Sequence, residues 1–364
     1  MLPSDRKASR ITDNIPDSRF GFSPCHSAAE FRRFIKHMPH DLRTNHYPRP
    51  LDHLPFNFHE SIVLPIVQFL KAQGVDFRFH TTTADIIVEP AGNPTHVTAL
   101  RTVHKREREV TIDLGPEDVV IVSLGSVLSG GSQGSNMEPP SLEMMEIEKD
   151  LDENWLLWLE LATKHPKFGN GYNFCTRLHE SRLEYFTVTL KNPSVFEMMI
   201  KIIGDNSQTG SLITLVHSSW LLTLSLPRQP LFSDQPDAVR VFWGYAVNPE
   251  KEGDFVKKKM LCCSGEEILT EVLHQLGLTV SEILPQAITV PCVMPRMTAT
   301  LLPRSSGDRP QVVPPGMTNM ALIGQFVDIP QEKVTMDYMV QGAQMAVHQL
   351  MGLDKELKSR RRDL

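Results

Sequence analysis

The stretch that most constrains this chain lies near its end, from Asn319 to Val347. Asn319, Met320, Ala321, Leu322 and Ile323 form a short apolar run that predicts a buried strand. Gly324, Gln325 and Phe326 interrupt it, and Asp328, Ile329 and Pro330 follow. From Met336 to Leu350 apolar residues return at helical spacing: Met336, Met339, Val340, Ala343, Ala346, Val347 and Leu350. A strand that feeds a helix through a glycine-containing turn leaves backbone amides exposed at the helix entrance, where an anionic or polar cofactor can sit. A plain strand–loop–helix unit of an α/β domain meets the same pattern. Periodicity alone leaves both readings open.

A second place of the same kind lies upstream. Asp118–Leu124 is almost continuously apolar through Val119, Val120, Ile121 and Val122, as expected of a central strand buried on both faces. It runs into Gly125 and Ser126, and then into the small-residue loop Ser129–Ser135. Such a loop after a central parallel strand is where α/β sheets take ligands, although a flexible linker reads the same way. It carries neither a Walker A ending nor a GxGxxG.

The remaining elements follow in order. Residues 1–20 are polar, and a helix with Ser27 as its N-cap is predicted over Ser27–Met38. The segment His40–Pro55 holds irregularly spaced histidines, which do not read as metal ligands. A second helix is predicted over Glu60–Gln73, with Ile62, Ile66, Phe69 and Leu70 on its apolar side. Strand-like runs at Val75–His80, Ala84–Glu89, Thr95–Val103 and Glu109–Leu114 read as an antiparallel meander. A long helical region is expected over Ser141–Lys164, and strands at Tyr185–Leu190, Val195–Lys201, Leu212–Val216, Leu221–Leu226 and Val239–Tyr245. Gly265–Leu276 reads as a helix with an acidic start, and Pro291–Pro303 as a Met- and Thr-rich stretch.

Composition narrows the classes. With 364 residues, 41% hydrophobic and 22% charged, the chain has material for two or three domain-sized units with an ordinary globular balance. A formal net charge of −6 argues against a nucleic-acid partner, and the basic run at Lys358–Arg362 reads as a solvated tail. Five scattered cysteines form neither a disulfide framework nor a zinc spacing. The start of the chain has no apolar signal region, and no run approaches the ~20 apolar residues of a membrane span, so a cytoplasmic protein is expected. Nucleophile elbows, HExxH and CxxC are all missing, so local motifs assign no reaction, no catalytic residue and no metal.

The order of elements is that of glutathione-reductase-type flavoproteins, in which a GxGxxG unit comes first. Five long strings make the likeness specific: PCHSAAEFRRFI from Pro24, ESIVLPIVQFLKAQGVDF from Glu60, GDFVKKKMLCCSGEEIL from Gly253, PCVMPRMTATLLPRSSGDRPQVVP from Pro291, and NMALIGQFVDIPQEKVTMDYMVQGAQMAV from Asn319. From about Phe20 to Leu353 the chain resembles the oleate hydratases, flavoproteins long called myosin-cross-reactive antigens. The resemblance implies an α/β fold with α+β elements: an incomplete glutathione-reductase-like FAD-binding fold with an antiparallel meander and a mixed substrate domain. It implies residues 21–135 and 290–353 as the remnant of the FAD-binding domain, 136–289 as the fatty-acid domain, and 354–364 as a basic tail.

The activity implied is that of a hydro-lyase, hydrating the cis-9 double bond of an unsaturated fatty acid to a 10-hydroxy fatty acid, with FAD as a structural cofactor. On the same footing, Ser123, Gly125 and Ser126 match the family's strand-end Thr/Asn-Gly-Ser, and Gly324, Gln325 and Phe326 its Gly-Gln-Phe. These six residues are the expected flavin contacts. Two departures stand out: the GxGxxG and the base-bearing Arg-Gly-Gly segment do not occur in these residues, and the family's acid Tyr falls on Phe56. Tyr47 and His59 are the nearby groups that titrate. A shortened, catalytically inactive relative that binds fatty acid or a partner is therefore the alternative. An unsaturated fatty acid is the expected partner, with peripheral membrane contact and a homodimer left open.

Overall fold

The computed structural model describes residues 11–12, 21–37, 54–89, 94–105, 108–142, 151–203, 212–329 and 336–353. In chain order the elements begin with β1 (Ile11–Thr12), α1 (Ala28–His37), α2 (Leu64–Ala72, entered through one π turn), β2 (Thr81–Glu89), β3 (His96–His104), β4 (Arg108–Asp113), β5 (Val120–Ser123) and β6 (Ser132–Gln133). They continue with α3 (Glu153–Lys164), β7 (Leu183–Leu190), α4 (Pro193–Ile203), β8 (Leu212–Leu215), β9 (Leu222–Ser225), β10 (Arg240–Ala246), α5 (Gly265–Leu276), β11 (Ala287–Met294), β12 (Met320–Ile323) and α6 (Met336–Leu350). Helices and sheets are thus mixed, as an α/β reading requires.

Three sheets organise them. A seven-stranded antiparallel sheet runs β1-β8-β9-β10-β7-β11-β6, β2-β3-β4 is an antiparallel meander, and β5 and β12 form a parallel pair. One face of the large sheet, with Phe186, Val188, Leu222, Leu224 and Phe242, buries against Met199 of α4 and Ile268, Val272 and Leu273 of α5. Helix α5 forms as expected because Ser264 and Glu267 make a reciprocal capping box, which satisfies two first-turn amides. A second core joins β5 and β12 to the meander, α3 and α6 through Val122, Leu124, Trp155, Trp158, Leu322, Phe326 and Ala346. Asn319 stitches this core together: its Oδ1 accepts from Val97 N at 2.8 Å, and its Nδ2 donates to Val97 O at 3.0 Å and to Asp118 O at 3.2 Å.

Several sequence expectations are corrected. Val75–His80 is not a strand; Phe77 stacks on exposed Phe79, and pairing with β3 begins only at Thr81 opposite His104. Val195–Lys201 is helical, since Pro193 sits in the first turn and Val195, Phe196, Met199 and Ile200 lie on one buried helical face. Pro291 sits inside a strand, β11, where the sequence reading gave only a Met- and Thr-rich stretch. The helix predicted from Ser141 starts at Glu153, where Asp152 Oδ1 caps Trp155 N at 3.2 Å; residues 143–150 lie outside the described set. The apolar side of α2 is not buried: Ile66 is 52% and Phe69 63% exposed. Strand β5 alternates rather than being covered on both faces, with Val120 and Val122 buried and Ile121 43% exposed, because the second core packs on one face only.

Candidate functional site

The carboxyl ends of β5 and β12 lie side by side, since the parallel register sets Ser123 opposite Ile323 and Leu124 N donates to Ile323 O at 3.2 Å. That register brings Ser123 and Gly324 together. Gly324 has φ of +114°, a backbone that side chains avoid, and a Cβ there would stand 3.4 Å from Ser123 Oγ and from Leu124 O. Gln325 is half-buried beside it, and Ser123 is exposed.

Gly125 and Phe326 meet on the inner side of the wall. A Cβ on Gly125 would lie 3.0 Å from Trp155 and 3.1 Å from Phe326, and its φ is +63°. Phe326 is fully buried, with ring centroids 4.9 Å from Trp155, 5.6 Å from Trp158 and 5.1 Å from Phe174. Its ring therefore packs inside the second core. Ser126 turns toward its own loop: its Oγ accepts from Leu128 N at 3.2 Å and its carbonyl accepts from Trp155 Nε1 at 3.3 Å. The small-residue loop is an ordered connection rather than a linker, for Trp155 Nε1 also donates to Ser129 Oγ at 2.9 Å and Ser132–Gln133 pairs with β11.

A groove of about 440 Å³ runs along the open edge of β5. Thr81, Thr83 and Ser123 offer hydroxyls to it, and Ile121, Leu100 and Leu157 give it apolar walls. Glu153 is the one titratable residue lining it, so the groove offers hydrogen bonding and apolar cover but little means of moving protons. Phe56, where the resemblance placed an acid, does not line this groove; its amide donates to Ser61 Oγ at 3.0 Å, and the neighbouring Asn57 N donates to Leu231 O. Glu60 nearby is held below the usual carboxylate range, chiefly by the Ser233 amide at 2.9 Å, which opposes any role as a proton donor. His59 is exposed, and Tyr47 lies outside the described residues.

The MCRA family model matches residues 14–348. The chain belongs to the MCRA family. Within reach of that family, it is 33% identical over 346 residues to the oleate hydratase of Streptococcus pyogenes serotype M49 (strain NZ131), covering 91% of this chain and 58% of the relative. It is 24% identical over 372 residues to the linoleate hydratase of Lactiplantibacillus plantarum, covering 95% of this chain and 64% of that protein. The chain thus spans about three fifths of the length of the curated relatives it matches.

Two residues beside these strand ends were not singled out from sequence. Trp155 read only as part of an apolar helix, yet its ring and indole N–H hold both Gly125 and the small-residue loop. Arg296 is 5% exposed, donates through Nε to Cys175 O at 2.9 Å and stands 5.9 Å from the Trp155 ring, and burial pulls its pKa down. An arginine inside the otherwise apolar Cys292–Met297 was the available signal. Among the described residues no helix is long and apolar enough to cross a membrane.

Proposed function

We propose that this chain is a fatty-acid hydratase-type protein that takes an unsaturated fatty acid and water to a hydroxy fatty acid, in the manner of cis-9 hydration to a 10-hydroxy product. The observation that supports the reading is the parallel pair β5–β12, which brings together Ser123 and Gly324, the residues that the resemblance matches to the hydratases' strand-end motifs. On this reading the pair and the β2–β4 meander belong to a glutathione-reductase-like FAD-binding fold. Residues 21–135 and 290–353 form the flavin side and 136–289 the fatty-acid side.

The residues present suit one side of a flavin. Ser123 and Gln325 supply polar contacts, Gly324 leaves the backbone open to close approach, and the threonine hydroxyls over an apolar groove match a flat, polar-edged ring. Gly125 and Phe326 would act behind the wall and Ser126 within its loop. Bound FAD would supply shape and polarisation without net redox change. The chain's part is to orient the ring edge and to keep the aromatic layer beneath it rigid.

One observation favours a second reading, a non-catalytic fatty-acid-binding relative: Phe56 has no proton to give, and Glu60 is held ionised. The two separate in one experiment. The purified chain is supplied with FAD and oleate, and the flavin spectrum and 10-hydroxystearate are measured. Product formation supports hydration, whereas oleate binding without product supports the second reading.

A further inference from the structure

A polar cleft of about 290 Å³ lies between the start of α1 and the loop Arg304–Arg309. We propose that this cleft is a binding site for a phosphate group. The inference stands independently of the hydratase reading.

Charge makes the first argument. Three guanidinium groups, Arg33, Arg304 and Arg309, line the cleft against two carboxylates, Glu30 and Asp328. Glu30 is buried and already shared, 3.2 Å from Arg33 and 2.5 Å from Arg304, so its charge is used twice. Asp328 is exposed. Arg309 is the decisive residue: it is 8% exposed, and it has no carboxylate partner among the described residues. Its Nη2 donates to Thr300 O at 2.9 Å and its head lies 6.0 Å from the Phe174 ring, but its Nε has no acceptor. A buried guanidinium with an unmet donor is costly unless an anion completes it. Burial, and then Arg304, lower its pKa, with Tyr338 and Glu30 opposing.

Shape and polarity select the anion. Ser27, at the head of the ten-residue helix α1, and the exposed Ser305 and Ser306 add hydroxyls, and Ala29 is the one apolar side chain in the lining. A fatty-acid tail would find no apolar wall here, whereas a compact oxyanion held by arginine forks, hydroxyls and a helix start is well matched. The loop is held ready before any ligand arrives: Asp308 Oδ2 accepts from Ser305 N at 2.7 Å and from Asn173 Nδ2 at 2.8 Å.

The test uses the full purified chain with inorganic phosphate, ADP, FAD and oleate as separate probes, followed by calorimetry and by phosphorus NMR line broadening at matched ionic strength. Phosphate is expected to bind saturably, and Arg309→Met to weaken it at least tenfold. Ser306→Asp, on an exposed residue and so without risk to folding, is expected to do the same through charge repulsion. ADP or FAD binding at least tenfold tighter than phosphate, with the same sensitivity to Ser306→Asp, identifies the phosphate as that of a nucleotide; equal or weaker binding identifies free phosphate. No saturable binding, or binding unchanged in Ser306→Asp, overturns the proposal, as does displacement of phosphate by oleate.

Discussion

The two cores differ in how completely their strands are covered. The seven-stranded sheet is closed over by α4 and α5, and its buried carboxylate Glu271 is fully supplied, accepting from Asp254 N at 3.0 Å, Phe255 N at 2.9 Å and Val256 N at 2.8 Å. The β5–β12 pair is covered underneath by Trp155, Trp158 and Phe326, yet among the described residues no strand pairs the other edge of β5, and Ile121 is exposed. A parallel strand ordinarily sits between neighbours, and among the described residues β5 has one on a single side, whereas the strands at the centre of the large sheet are paired on both.

The contrast can be broken by substitution, beginning with the largest effect. Phe242→Ala in the sheet core should cost about 3–5 kcal/mol in urea unfolding, while Ile121→Thr on the open edge should stay within about 0.5 kcal/mol. A large loss at Ile121 would mean that β5 is covered. Glu271→Gln should cost about 2–3 kcal/mol, because an amide cannot accept from all three backbone donors that the carboxylate serves. A smaller loss, about 1–3 kcal/mol, is expected for Asp85→Asn. Burial pushes the Asp85 carboxyl up, but Lys164 and Arg101 outweigh it and tie the meander to α3. Asp85 is therefore ionised in the fold, and its contribution should fade as pH drops through its folded pKa.

Glu184, also in the sheet core, tests the same contrast from the opposite side. It is fully buried, neither of its oxygens has a hydrogen-bond partner among the described residues, and burial drives its pKa well up, with Arg182 opposing. The fold keeps the proton that the unfolded chain releases. Stability should therefore fall as pH rises above the ordinary carboxyl range, by at most about 1.4 kcal/mol per pH unit, until the folded pKa is passed. Glu184→Gln should flatten that slope, as read from urea midpoints across pH.

What could be read from sequence followed local physics. Helix α5 carries its cap in Ser264 and Glu267, and α6 its spacing in Met339, Ala343 and Ala346, so both were found with their ends in place. Ser123 and Gly324 were singled out separately by a family likeness; that β5 and β12 pair, with Ser123 opposite Ile323, left no local mark in the sequence. Helix α4 was missed because Val195, Phe196 and Ile200 favour strands singly, and only burial against the sheet settles the matter. The exposure of Ile121 could not be read from an apolar run, which says what a strand prefers and not which neighbours it has. Arg309 read as a loop residue, since its burial depends on Phe174 and Thr300.

The most direct measurement of the flavin wall is a titration of FAD into the chain, read by quenching of tryptophan fluorescence from Trp155 and Trp158 beneath β5 and β12. Saturable quenching is expected, weakened at least tenfold by Gly324→Val and also by Ser123→Leu, the latter at an exposed position where folding is not at stake. Absence of saturable quenching, or equal FAD affinity in both variants, would contradict the account.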